Sequence, residues 1–167
     1  MNYLFETERL RFRDMRADDA EILFELNSDP EVVRYTGDGA FESIEATRKF
    51  IGERLKQYTL DGYGRWIAAL KDSGEIVGWC GLKKHANGST DVGYRFFRRH
   101  WGKGFGTESC KASLDRGFSV HHLAIIYAEA RVENIPSIRI MQKCGMKFAF
   151  NHKGCDGDTV VYEIVRP

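Results

Sequence analysis

The stretch FRRHWGKGFGTESCKASLDRGF, from Phe97 to Phe118, places glycines at 102, 104 and 106 and then settles into a helical period through Cys110, Leu114 and Phe118. Ahead of it DVGYRFF, Asp91 to Phe97, has the character of a short strand with a glycine in its interior, a mark of a bulge or of a close approach by backbone or ligand. A glycine turn between strand and helix constrains the fold strongly. The first amide N–H groups of the helix have no partner inside it and carry the positive end of its dipole, so they bind anions. Glycines permit φ values that other residues resist and let a phosphate come close. Arg98, Arg99, His100 and Lys103 add positive charge nearby, in a chain whose formal net charge is only +1. Any anion is therefore bound locally, without a general pull toward nucleic acid or membrane.

Two nucleotide motifs can be tested against this turn. A Walker loop fails, because Gly102-Lys103 is followed by Gly104 and position 97 is Phe97. A dinucleotide fingerprint fits poorly, since the spacing is Gly-x-Gly-x-Gly and it falls after several strands. A glycine-rich helix entry that holds no ligand is the remaining alternative.

Around the turn, hydrophobic periodicity lays out an α/β chain. RLRFR alternates like a strand wet on one face, and DDAEILFELNSDPEVVRY sets Ala20, Leu23, Phe24 and Asn27 at helical spacing before Pro30 opens a short second helix. ESIEATRKFIGERLKQY repeats the helical period through Ile44, Ile51, Leu55 and Tyr58, with Ser43 as its cap and GYG as its end. RWIAAL and EIVGWCGL are strands joined by a KDSG hairpin, and the polar loop KKHANGST leads into DVGYRFF. LAIIYAEARV is a buried strand, NIPSIRIMQKCG a short helix closed by Gly145, and MKFAFNH and TVVYEIV are strands flanking a KGCDGD turn. No repeat, low-complexity tract or linker interrupts the 167 residues, a length suited to one domain over 1–167.

The apolar share of 43% and charged share of 29% are those of an ordinary water-facing chain, with no run of membrane-spanning length. MNYLFETERLRFRD meets charged residues too early for a secretory leader, so a cytoplasmic location is expected. Cys80, Cys110, Cys144 and Cys155 show no zinc-type spacing, and His85 and His152 have no Cys or acidic companion at ligand spacing. Reduced thiols and no metal are expected.

Several separate motifs, in order, resemble the GNAT superfamily of acyl-CoA-dependent N-acyltransferases. Trp101-Gly102-Lys103-Gly104-Phe105-Gly106, followed by Thr107-Glu108, looks like the family's pyrophosphate loop, with Trp101 in place of Gln or Arg; Arg99-x-x-Gly102-x-Gly104 matches in another register. WGKGFGTE and ETERLRFRDMRADDAEILFELNSDPEVVRYTG are similar to the ribosomal-protein-alanine N-acetyltransferase-like (RimL/RimJ-like) branch. EIVGWCGL and DVGYRF look like its third and fourth strands, and ARVENIPSIRIMQKCGMKF like its Asn-x-x-Ser segment, with Met146 where the family has Phe. DTVVYEIV carries the closing Asp158 and Tyr162.

The resemblance implies a mixed, mostly antiparallel sheet of about six to seven strands with helices on both faces, splayed between the fourth and fifth of them. Acetyl-CoA would be the cosubstrate. Its pyrophosphate would lie on 101–107 and its pantetheine in the gap, paired with backbone groups of Phe96 and Phe97, whose side chains equally suit plain core packing. Ser137 would act as the acid for the departing thiolate, with Asn134 contacting the pantetheine, although Asn134 also reads as a helix cap and Ser137 as a first-turn residue. Asp91 stands where relatives carry a glutamate that draws the proton through water. Glu129, inside the apolar fifth strand, is a second candidate base, since burial would raise its pKa. The segment between the last two strands that supplies a base in some relatives is short here.

The expected reaction is direct attack by a primary amine in a ternary complex. About a quarter of a protein α-amine is neutral at pH 7.5, against about one lysine amine in a thousand, so an α-amine demands less of a base. A polyamine, aminoglycoside or amino acid acceptor is the alternative, with Asp38, Glu42 and Glu45 as sources of acidic recognition. A non-catalytic acyl-CoA-binding module and a ligand-free interaction protein are rivals of another class. FRRH could contact RNA, but the balanced charge favours a phosphate-facing edge and no direct nucleic-acid partner. An exposed edge strand in TVVYEIV could pair with another copy to form a homodimer.

Overall fold

The computed structural model describes residues 2–154 and 157–167. Cys155 and Asp156, at the tip of the expected KGCDGD turn, lie outside the described residues. The strands are β1 (Phe5–Glu6), β2 (Leu10–Asp14), β3 (Arg65–Leu70), β4 (Ile76–Lys84), β5 (Thr90–Phe96), β6 (Ile125–Arg131), β7 (Lys147–Gly154) and β8 (Gly157–Val165). The helices are α1 (Ala20–Ser28), α2 (Pro30–Val33), α3 (Ile44–Asp61), α4 (Phe105–Ser119) and α5 (Ile135–Lys143). One strand more than expected appears, since β1 spans two residues and leaves no periodic trace in the sequence.

The helix boundaries have local causes. Asp29 accepts the Glu31 N–H at 3.0 Å and Pro30 opens α2, while Ser43 accepts the Ala46 N–H at 3.2 Å at the start of α3. Gly62, at φ +76, ends α3 in the left-handed region. The KDSG hairpin forms as expected, with the Gly74 N–H on the Leu70 carbonyl at 2.9 Å.

The sheet runs β1-β2-β3-β4-β5-β6-β8-β7, and every neighbouring pair is antiparallel except β5 and β6. This order corrects the expected edge. TVVYEIV lies within β8, hydrogen-bonded to β6 on one side and β7 on the other, so it offers no free edge to a second copy. The outer strand is β7.

Strand alternation sends side chains to two cores. On one face Phe12, Trp66, Cys80 and Leu82 pack with Phe105, Cys110 and Leu114 of α4 and Met141 of α5. On the other, Ile67, Trp79 and Phe97 meet Leu23 and Leu26 of α1 and Ile51 of α3. Each fully buried leucine contributes about 1.5–3 kcal/mol. Helices therefore cover both faces of the sheet, as expected.

The strands β5 and β6 share a single registered pair, Asp91 with Tyr127, and part beyond it. Among the described residues, Cys80, Cys110 and Cys144 are buried free thiols, and no group of three or more His, Cys, Asp or Glu is placed to hold a metal ion. No described helix is long and apolar enough to cross a membrane.

Candidate active site

The glycine turn stands at the open end of the β5/β6 gap and feeds α4. Gly102 has φ +74 and Gly104, the residue before the helix, φ +83. Only glycine adopts such values at little cost. Among the described residues, the N–H groups of Gly102, Lys103, Gly104, Phe105, Gly106 and Thr107 donate to no protein acceptor; the first helical bond is Glu108 N–H to the Gly104 carbonyl at 3.1 Å. Consecutive unspent amides at a helix start form an anion cradle. Gly106 has a different reason to be glycine: a Cβ there would stand 2.6 Å from Ile140 Cδ1, so its absence lets α5 close on α4.

Arg9 braces this turn. Its Nη1 donates to the Lys103 carbonyl at 2.9 Å, its Nε to Glu108 Oε2 at 2.7 Å, and its guanidinium lies 4.7 Å from the centre of the Phe105 ring. Thr7 Oγ1 donates to Glu108 Oε1 at 2.6 Å. Burial works to raise the Glu108 pKa, but the Thr7 and Arg9 hydrogen bonds outweigh it and hold the carboxyl below its usual range. An acid so close to the cradle would repel a phosphate, and Arg9 neutralises it.

In the gap, the register settles which backbone groups are free. Phe97 donates its N–H to the Val77 carbonyl at 3.0 Å and accepts the His100 N–H at 2.9 Å, so both its backbone groups are spent. That corrects the expectation that Phe97 pairs with a pantetheine. By antiparallel alternation Phe96 and Tyr94 turn their backbone groups away from β4, toward the gap. The half-exposed Trp101 donates its indole N–H to the Phe96 carbonyl at 2.8 Å. The side chains of Phe96, Phe97 and Phe105 are core residues.

On the far side of the gap, Asn134 caps α5 by accepting the Ser137 N–H at 3.3 Å. Ser137 Oγ lies 2.9 Å from the Tyr94 hydroxyl, which also reaches the Ser137 carbonyl at 3.1 Å. Burial, helped by the nearby Cys110 thiol, pushes the Tyr94 phenol well above its usual range, so it stays a neutral donor. Tyr94 can donate to Ser137 Oγ and leave the serine's own hydrogen free.

Asp91 sits where β5 and β6 part, on the face of α1 and α3. Its carboxylate accepts from Arg65 Nη2 at 2.8 Å and stands 3.1 Å from His85 Nε2. Burial alone would raise its pKa, but the Arg65 charge and the hydrogen bonds from His85 and Arg65 prevail and hold it at about 2. A carboxylate held that low is a weak proton acceptor at neutral pH. The interior glycine of DVGYRFF is explained here: a Cβ on Gly93 would stand 2.7 Å from Arg65 Nη2, so the strand leaves room for the guanidinium. His85, Asn87, Asp91, Tyr127, Glu129 and His152 line a cavity of about 470 Å3. Glu129 is exposed, with His152 Nε2 at 3.3 Å, which removes the burial that recommended it as a base.

The acids expected to recognise a cationic acceptor are also placed. Asp38 pairs with Arg95 at 3.1 Å, and Arg95 is itself buried, sharing the Asn27 side chain and lying 5.3 Å from the Trp79 ring centre. Glu45 pairs with Arg48 at 3.5 Å. Glu42 is exposed.

Residues 9–147 match the model of the acetyltransferase (GNAT) domain. The chain belongs to the GNAT family. It is 36% identical over 138 residues, 81% of this chain and 77% of the other, to an uncharacterized N-acetyltransferase p20 of Bacillus licheniformis. It is 32% identical over 161 residues, 94% and 92% of the two chains, to an uncharacterized protein YkkB of Bacillus subtilis. A crystal structure of a GNAT-family acetyltransferase from Bacillus anthracis superposes with a TM-score of 0.84 at 28% identity, over 96% of each chain. The protein is an acetyl-CoA-dependent acetyltransferase.

The residues fit that cosubstrate on chemical grounds, since a cradle of unspent amides suits a diphosphate and free strand edges suit amide groups. The GNAT signature marks the glycines, Asn134 and Ser137 in the sequence. Arg9, Arg65, Tyr94 and His85 enter only through the fold, because each acts on a partner brought near by sheet pairing. The one local hint was Gly93, whose missing side chain makes room for Arg65.

Proposed function

We propose that the acceptor is a protein N-terminal α-amine and that the chain, read as one unit over 1–167, acts as a ribosomal-protein-alanine N-acetyltransferase-like (RimL/RimJ-like) GNAT enzyme. The observation that carries this reading is the pairing of most acids on the acceptor side. Asp38 is matched by Arg95, Glu45 by Arg48 and Asp91 by Arg65, while Glu129 has only the His152 ring beside it and Glu42 is exposed. A polyamine or aminoglycoside spreads several positive charges and needs unmatched carboxylates to receive them. A single α-amine does not, and its substantial neutral fraction at pH 7.5 asks little of the enzyme.

Acetyl-CoA brings the acyl group as an activated thioester. Gly102, Lys103, Gly104, Phe105, Gly106 and Thr107 hold its pyrophosphate, and Lys103 adds a charge free to follow it. Phe96 with its N–H, and Tyr94 with its N–H and carbonyl, offer backbone partners to the pantetheine, with Trp101, on the Phe96 carbonyl, and Asn134 at its borders. Ser137, supported by Tyr94, donates to the leaving sulfur. Attack is direct, within a ternary complex, and Asp91 belongs to the acceptor side of the gap.

A panel of peptides beginning with Ala, Ser or Met, set beside spermidine, spermine, an aminoglycoside and free amino acids, tests the reading through release of free CoA thiol. Peptide turnover should exceed every polycation in kcat/KM by about tenfold or more, a difference of about 1.4 kcal/mol in the transition state. Preference for a polycation would overturn it.

A further inference from the structure

Where, on the acceptor side, does the amine's proton go? Asp91 is a poor acceptor, and Glu129 stands in solvent. His85 is placed otherwise. It follows β4 in a tight loop, with its N–H on the Ser89 carbonyl at 2.8 Å and its carbonyl accepting the Gly88 N–H at 2.9 Å, so the ring has a fixed base. Its Nε2 lies 3.1 Å from Asp91 Oδ1, and Asp91 is itself anchored by Arg65. Both His85 and Asp91 line the cavity that opens where β5 and β6 part.

We infer that His85 is the proton acceptor of this enzyme and that Asp91 is its positioning residue. The inference rests on the acetyltransferase reading above. An ionised carboxylate only accepts hydrogen bonds, so the nitrogen facing it carries the hydrogen, and His85 is held as the Nε2–H tautomer. Nδ1 is then a bare lone pair, and among the described residues it has no partner. This is the logic of a carboxylate–imidazole pair, in which the acid fixes the tautomer and steadies the imidazolium without taking the proton itself. Arg65 keeps Asp91 ionised and so keeps the pair in this state.

The ammonium form of the acceptor yields one proton to Nδ1, which passes it to solvent. Three residues along β5 from Asp91 to Tyr94 span about 10 Å, so the transfer runs through water. The freed amine nitrogen bonds to the acyl carbon and the carbon–sulfur bond breaks. A second proton leaves that nitrogen by the same water route to Nδ1, which is free again, and the sulfur departs as a thiolate and takes up one proton at the Ser137 end. The products are an amide and a thiol, with one proton released. The charged and titratable groups around the ring are Asp91 with Arg65, Lys83 of β4 and Arg54 of α3 behind it, Glu129 and Tyr127 from β6, and His152 from β7.

Two measurements test this. Nitrogen NMR of the free protein above the imidazole titration should show His85 as the Nε2–H tautomer, and Asp91→Asn should abolish that preference; an Nδ1–H ring in the unaltered protein would overturn the inference without any reference to activity. In kinetics, His85→Gln should lower kcat/KM for the best acceptor by about a hundredfold or more, while acetyl-CoA binding by calorimetry stays the same. Asp91→Asn should lower kcat/KM in the same direction with acetyl-CoA binding unchanged, because the ring loses the acid that fixes its tautomer. If His85→Gln keeps the native rate, the inference is wrong although the acetyltransferase reading stands. If the unaltered protein acetylates none of the amines, both fall together.

Discussion

Gly104 and Gly106 look alike in the sequence and answer to different constraints. Gly104 holds φ at +83, where an added Cβ is strained by about 1–2 kcal/mol, and its amide belongs to the cradle. Gly104→Ala should therefore destabilise modestly in urea unfolding and weaken acetyl-CoA binding by about tenfold, the loss of one well-aimed bond to a charged group. Gly106 has an ordinary φ and yields to Ile140, so Gly106→Ala should lose stability that Ile140→Val partly restores by removing the Cδ1 atom in the way. Spacing alone could not separate the two. Asp91 carries a pH signature. Its folded pKa of about 2 lies below its ordinary 3.8, so the stability it adds is complete above pH 4 and is lost as the pH falls toward 2. The size is about 2 kcal/mol. Urea unfolding at pH 5, 3 and 2 should show this loss, and Asp91→Asn should flatten it while lowering stability at neutral pH by about 3 kcal/mol, because Arg65 is left buried and unpaired.

At the scale of elements, α4 presents a paradox that Arg9 resolves. The helix aims free amides at an anion and carries Glu108 in its first turn, and a residue from just before β2 reaches across to cancel that acid. Arg9→Ala should weaken acetyl-CoA binding more than the double variant Arg9→Ala, Glu108→Gln, since the lone carboxylate is worse than none; calorimetry of the two decides. In α5, Asn134 secures the first turn and so the height of Ser137, so Ser137→Ala should lower kcat by about a hundredfold with acetyl-CoA affinity intact. Element identities were widely legible, because caps such as Ser43, Asp29 with Pro30, and Gly62 announce themselves in residue type. The short β1 was not, and neither was the exchange that puts β8 inside β7, because strand order depends on contacts far apart in the chain. Arg9 opposite Glu108 was hidden for the same reason: 99 positions separate them.

The molecule as a whole is a sheet joined across its middle by one backbone pair, with α4 and α5 bridging the rest through Phe105, Cys110, Met141 and Cys144. The amides of Tyr94 and Phe96 should exchange hydrogen quickly in the free protein and slowly once acetyl-CoA is added, as mass spectrometry of exchanged peptides can show. At a hundredfold excess over its Kd the cosubstrate should also stabilise the fold by about 2.7 kcal/mol. The splay itself was readable only through family likeness; the indole of Trp101 on the Phe96 carbonyl was not readable at all. An interior strand left open is a standing invitation to any loose peptide, and here an aromatic shutter already occupies the first rung of the ladder. Whatever enters must share that rung or displace the ring from it, so the chain shields its own fracture line from strays.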